Sequence, residues 1–257
     1  MRELSIPTVA GVFDAWVAGP PEGRPVLLLH GSPQTGLVWR RQIAAPAAHG
    51  YRVVTPDQRG YSPGARPPRP ADYRMDLLVD DVVAIMEELG WPAFELIGHD
   101  WGDAVAWWAA DAHPDRVRTL SVVSTPHPGA QELRTLYAGK VPRDSAEAYL
   151  RHLSRPGAPT AALNWYRAGR ADHATGVVGA PTLYVWSTED SAFGAAAPQE
   201  TGRWVHAPYR FETLQGVSHW VPEEAPDALS RLLLDHLRTH GMYRTATDTP
   251  TADSPKR

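Results

Sequence analysis

Ile97-Gly98-His99-Asp100-Trp101-Gly102 is the stretch that decides how this chain folds. It follows an apolar run at residues 93–98 and opens an apolar helical segment at residues 104–110. A nucleophile displayed on a sharp strand-to-helix turn needs small residues two positions to either side, because the backbone there passes close to neighbouring strands. Gly98 and Gly102 meet that need. The central residue is an aspartate where serine is the commoner nucleophile, and a carboxylate can attack carbon to form an ester. A loop aspartate that only caps the following helix would also be favoured by the helix dipole. The two glycines and the preceding strand favour the chemical role.

Outward from Asp100, short apolar runs recur at residues 25–30, 51–55, 117–124, 182–186 and 209–214, with amphipathic segments between them. This is the pattern of a buried, mostly parallel sheet with helices on both faces. Residues 11–17 read as part of an amino-terminal hairpin. Met75, Leu78, Val79, Val82, Val83, Met86 and Leu89 keep to one face at helical spacing, and Gly90 with Pro92 supplies the stop. A closing helix has Pro226 near its first turn and Leu229, Leu232, Leu233 and Leu237 as its stripe.

Residues 125–180 break this rhythm with prolines at 126, 128, 142, 156 and 159 and only brief helical patches such as 145–153. They read as an insertion over the carboxyl ends of the strands, where sheets of this kind bind ligands. The expected organisation is a first core part at 1–124, a lid insertion at 125–180, a second core part at 181–240 and a disordered tail at 241–257.

A chain of 257 residues suits one large domain carrying such an insertion. The net charge of −4 is spread without runs of like sign, which argues against a nucleic-acid partner and for a small molecule. With no cysteine, disulfides and thiolate metal sites are excluded. The amino terminus lacks the apolar core of a signal peptide, and no stretch approaches the ~20 apolar residues of a membrane helix. A soluble, cytoplasmic protein without metal or cofactor is the expectation.

Four motifs carry a resemblance. His30-Gly31-Ser32-Pro33-Gln34 and Asp57-Gln58-Arg59-Gly60-Tyr61 each follow a strand, Asp100 centres the turn, and Gly216-Val217-Ser218-His219-Trp220 lies near the end. Together they resemble the epoxide hydrolase and haloalkane dehalogenase branch of the α/β-hydrolase family, from about Gly11 to His240 and most weakly in the insertion. The resemblance implies the α/β-hydrolase fold and the chain order nucleophile, acid, histidine. His219, in a loop after the last apolar strand at 211–214, is then the base that deprotonates a water attacking the Asp100 ester, and it is expected to rest neutral. The orienting acid should follow the strand at 182–186, where Glu189 and Asp190 are both available, and family spacing favours Asp190. The turn itself supplies one oxyanion donor, the amide of Trp101, and the resemblance supplies the other, the amide of Ser32.

In this branch, cap tyrosines protonate the alkoxide left by epoxide opening. Leu163-Asn164-Trp165-Tyr166-Arg167 resembles a segment bearing one of them, which selects Tyr166. The region between Pro128 and Leu163 is short for the branch, leaving Tyr137 and Tyr149 as substitutes for the second tyrosine. The resemblance also places His30, Pro33, Trp165 and Tyr137 at the substrate pocket. In a dehalogenase, the indole N–H groups of Trp101 and Trp165 would hold the halide, but Ser32 stands where some dehalogenases have a side-chain amide donor. An epoxide hydrolase is therefore expected, with a short lid that suits a bulky epoxide. A dehalogenase and a ligand-binding protein without turnover are the alternatives, and an esterase lacks its serine. Most of the ten tryptophans, Trp107 and Trp108 included, are expected to pack the core.

Overall fold

In the computed structural model, which describes residues 1–126, 148, 151–152, 155–168, 175–190, 192–193 and 200–240, eight strands form one sheet. They are β1 (Arg2–Thr8), β2 (Gly11–Ala18), β3 (Arg24–Leu29), β4 (Tyr51–Pro56), β5 (Phe94–His99), β6 (Val117–Val123), β7 (Thr182–Glu189) and β8 (Tyr209–Ser218). Their order is β1-β2-β4-β3-β5-β6-β7-β8. The first hairpin and the β2–β4 pair are antiparallel, and every other neighbour is parallel. Helices α1 (Ala44–Ala48), α2 (Met75–Glu88), α3 (Trp101–Ala112), α4 (Ala158–Arg167), α5 (Val221–Glu224) and α6 (Pro226–His240) complete the described residues with short 3₁₀ turns.

The apolar runs are strands because both faces of the sheet are covered. In β3, Leu27 and Leu29 enter one core with Leu78, Val82 and Ile85 of α2 and Val105 and Ala109 of α3. Val26 and Leu28 point the other way, into a core with Leu229, Leu233 and Leu237 of α6. This is the two-residue alternation of a strand buried on both sides. Trp107 is fully buried among the first set.

β7 and β8 continue past their expected ends at 186 and 214. The ladder pairs Ser187 with Leu214 and Glu189 with Ser218, so backbone bonding holds the strands together after the side chains turn polar. β8 is an edge strand and most of its residues are only partly buried, which is why its apolar signal fades early. His219 consequently follows the strand directly and does not lie in a longer loop. The expected helical patch at 145–153 falls largely outside the described residues, and the expected tail at 241–257 falls wholly outside them. Among the described residues, no helix is long and apolar enough to cross a membrane.

The strand order assembles one edge of the sheet. β3 and β5 are neighbours, so the loop bearing Ser32 opens beside Asp100, and β7 and β8 bring Asp190 beside His219.

Candidate active site

Asp100 sits in a conformation that side chains rarely adopt, with φ 55° and ψ −120°. Such a backbone costs on the order of 1–3 kcal/mol and persists only where its surroundings over-determine it. Here the Asp100 carbonyl accepts from the amides of Asp103 (3.0 Å) and Ala104 (3.3 Å) and from the Thr125 hydroxyl (3.0 Å), while its own amide donates to Val123. The flanking glycines are sterically required. A Cβ on Gly98 would stand 2.6 Å from the Gly102 carbonyl oxygen, and one on Gly102 would stand 2.3 Å from that of Leu29. Apart from the amide of its neighbour Trp101, the carboxylate makes no capping bond to α3, which sets aside the cap as its main role.

Gly31 is as tightly bound to the site. A Cβ there would lie 2.4 Å from both Cβ and Oδ1 of Asp100. Gly31→Ala is expected to push the carboxylate aside and lower turnover by on the order of 10²-fold, as a misplacement near 1 Å does. Steady-state kinetics on the folded variant check this, and an unimpaired variant would show that Asp100 has room to move.

The Ser32 amide donates to Asp100 Oδ1 at 2.7 Å, and the Trp101 amide also bonds this carboxyl group. Asp100 Oδ2 faces Nε2 of His219 at 3.4 Å, and Nδ1 of His219 lies 3.0 Å from Oδ2 of Asp190. Asp190 has a fully buried side chain, and its other oxygen accepts from the amides of Ala192 and Phe193. Glu189, the alternative acid, is exposed. Burial acts to lower the pKa of His219, but hydrogen bonding and charge from Asp100 and Asp190 outweigh it and push the value up to about 10. Burial acts to raise Asp100, and His219 reverses this, so that Asp100 ends below its ordinary value. The resting group is thus a cation between two anions.

A family model described as the alpha/beta hydrolase fold matches residues 24–176. The chain belongs to the α/β-hydrolase fold family. It is 32% identical to the AB hydrolase superfamily protein YfhM of Bacillus subtilis, over 86% of this chain and 92% of that one. It is 29% identical to epoxide hydrolase 3 of Xenopus tropicalis, over 89% of this chain and 76% of that one. Among solved structures, epoxide hydrolase A of Mycobacterium thermoresistibile superposes with a TM-score of 0.80 at 25% identity, covering 92% of this chain and 98% of that one.

In this α/β-hydrolase, several residues do not stand as the sequence led us to expect. His219 was expected to rest neutral, but with carboxylates on both ring nitrogens it rests protonated. His30 does not line a pocket. It is fully buried, its Nε2 accepts from the Gln58 amide (2.9 Å), and Nδ1, which must then carry the hydrogen, donates to the Gly31 carbonyl (2.8 Å). Burial drives its pKa down to about 3, so it is a neutral strut between the Ser32 loop and the Gln58 loop. Trp165 is 2% exposed and its indole donates to the Arg59 carbonyl at 2.8 Å, so that N–H is not available to a halide or substrate. Tyr166, the next residue on α4, is exposed and stands edge-on to Trp101 at 5.3 Å between ring centroids. Pro33 is partly buried and joined to Ser32 by a cis peptide bond. Tyr137 and Tyr149 lie outside the described residues.

One supporting residue escaped the sequence reading. Asp103 is fully buried, and its two oxygens accept from the amides of Val123 and Thr125, both at 2.9 Å. Burial lifts its pKa well above the carboxylate range, against the effect of those two bonds. It fastens α3 to the end of β6, beside the Thr125 hydroxyl that holds Asp100. A carboxylate directly before the apolar segment at residues 104–110 was the available signal.

Proposed function

We infer that this α/β-hydrolase is an epoxide hydrolase working through a covalent ester on Asp100. The observation that carries the reading is the division of labour at Asp100, with one oxygen on the Ser32 amide and the other open toward His219. The likeness to proteins named epoxide hydrolases supports the same chemistry.

In the first step Asp100 Oδ2 attacks an epoxide carbon, the ring C–O bond breaks, and the phenol of Tyr166 protonates the departing alkoxide. Esterification removes the negative charge of Asp100. His219 thereby loses one of the two partners that hold its proton, and that proton has a destination in the tyrosinate just formed. Neutral His219, oriented by Asp190, then takes a proton from water, and the hydroxide adds to the ester carbonyl. The resulting oxyanion lies on Oδ1, facing the amides of Ser32 and Trp101. Collapse releases the vicinal diol, protonated by His219, and leaves an Asp100 carboxylic acid, whose proton passes to His219 and restores the carboxylate and the imidazolium.

The insertion between β6 and β7 acts as a lid, and its shortness between Pro128 and Leu163 favours a bulky epoxide. Tyr166 then delivers most of the proton alone. Tyr166→Phe is expected to slow alkylation of Asp100 by about 10²-fold, the lower end for one positioned acid. Single-turnover alkylation rates across epoxides of increasing bulk check both points. Rates insensitive to Tyr166 would remove its role, and a preference for the smallest epoxides would remove the expectation of a bulky substrate. A panel of epoxides and haloalkanes scored for diol and halide tests the reading itself. With Trp165 bonded to Arg59, diol without halide is the expected outcome.

A further inference from the structure

The three loops assigned to the chemistry each send one side chain into a buried hydrogen-bond chain beneath it. His99 precedes Asp100, Gln34 closes the turn of the Ser32 loop through its backbone N–H, which donates to the Gly31 carbonyl, and Glu223 lies in α5 just after His219. The rings of His99 and His219 are 5.1 Å apart, and Nε2 of His99 is 2.9 Å from the His219 carbonyl oxygen. Nδ1 of His99 is 3.0 Å from Oε1 of Gln34, whose Nε2 is 3.3 and 3.4 Å from the two oxygens of Glu223. His99 and Gln34 are fully buried and Glu223 is 4% exposed.

A count of hydrogens constrains this chain. The His219 carbonyl only accepts, so Nε2 of His99 carries a hydrogen. Two placements then match the contacts among His99, Gln34 and Glu223. In one, His99 is an imidazolium that also donates to Gln34, and Glu223 is ionised. In the other, His99 is neutral, the Gln34 amide is turned end for end so that its N–H faces Nδ1, and Glu223 is protonated and donates to Gln34. Burial, reinforced by the neighbouring His219, lowers His99 to about 4, which favours the second placement.

We propose that Glu223 is a positioning residue for ester hydrolysis, acting through Gln34 and His99 on the carbonyl of His219. The proposal rests on the epoxide hydrolase reading above. The His219 carbonyl also accepts from the Ser124 hydroxyl (3.1 Å), and Gln42 donates to the Pro222 carbonyl (3.0 Å), so residues 219–223 are fastened at both ends. Alkylation uses Asp100 and a proton donor, whereas hydrolysis needs the His219 ring aimed at a water. Loosening the peptide of His219 therefore slows the second step selectively.

The test compares wild type, Glu223→Gln, Glu223→Leu and the milder truncation Glu223→Ala in rapid-quench single turnovers of styrene oxide, with thermal midpoints alongside. Glutamine donates and accepts, so it satisfies Gln34 in either orientation, and Glu223→Gln should stay within about threefold of wild type in both steps. Leucine or alanine leaves the Gln34 amide without its partner, and release should slow by on the order of tenfold while alkylation is unchanged, so the Asp100 ester accumulates. If Glu223→Leu does not fold, the alanine variant and the rescue by glutamine carry the test. Equal slowing of both steps, no slowing after truncation, or a Glu223→Gln variant as impaired as the truncations would overturn the proposal. A wild type that forms no Asp100 ester is a different result, and it overturns the epoxide hydrolase reading together with this proposal.

Discussion

Asp100→Ala is expected to lose turnover by ~10⁴–10⁶-fold while remaining folded, because no second group replaces a covalent nucleophile. The substitution also changes the charge on His219. With Asp100 gone, burial opposes the proton and Asp190 alone favours it, so the pKa of His219 should fall from about 10. In the wild type this value lies above the ordinary 6.5. The stabilisation from the charged group is therefore fully present below pH 6.5 and is lost as pH rises through about 10. Asp100, being depressed, contributes stability above its ordinary value that is lost as pH falls through the lowered one. The alanine variant should accordingly show a flatter stability profile between pH 6.5 and 10, readable from denaturation at a series of pH values, and an imidazole titration moved downward by NMR. A His219 that titrates unchanged would mean that Asp100 is not its charge partner.

His219→Gln is expected to separate the two half-reactions. Alkylation needs the Asp100 carboxylate, which keeps its bond to the Ser32 amide, so the ester should still form. Hydrolysis needs a base at Nε2, and glutamine cannot take the proton from water, so release should slow by ~10³–10⁴-fold. Intact-mass spectrometry after mixing with substrate should find the protein carrying one substrate mass on the peptide containing Asp100. Turnover at an undiminished rate would contradict the assignment of His219.

What the sequence made legible was mostly local. The glycines around Asp100 foretold the close backbone approach that a Cβ would violate at Gly98 and Gly102. The continuous apolar run at 25–30 and the stripe from Met75 to Leu89 foretold a sheet covered on both faces. What stayed hidden depends on distances between segments far apart in the chain. The protonated state of His219 follows from Asp100 at 3.4 Å and Asp190 at 3.0 Å, and no motif states those separations. His30 could not be told from a pocket residue, because its role depends on a Gln58 amide from the next strand's loop.

Trp165 is different, since its burial was readable. Ala158, Ala161, Ala162 and Trp165 form one buried stripe on α4 at helical spacing. Trp165 and Tyr166 are about 100° apart on that helix, so the stripe that buries Trp165 leaves Tyr166 toward the surface. Asp103 and the chain from His99 to Glu223 show a related gap. Their polar types are visible in the sequence, but their partners belong to three other loops.

The central claim is that water attacks the Asp100 ester and not the substrate. It is tested most directly by a single turnover of excess enzyme with an epoxide in heavy-oxygen water, followed by mass analysis of the peptide containing Asp100 and of the diol. Addition at the ester carbonyl puts the heavy oxygen into the Asp100 carboxylate and sends an unlabelled enzyme oxygen out in the first diol. Label in the diol with an unlabelled Asp100 peptide would contradict the account, because water would then have opened the epoxide directly.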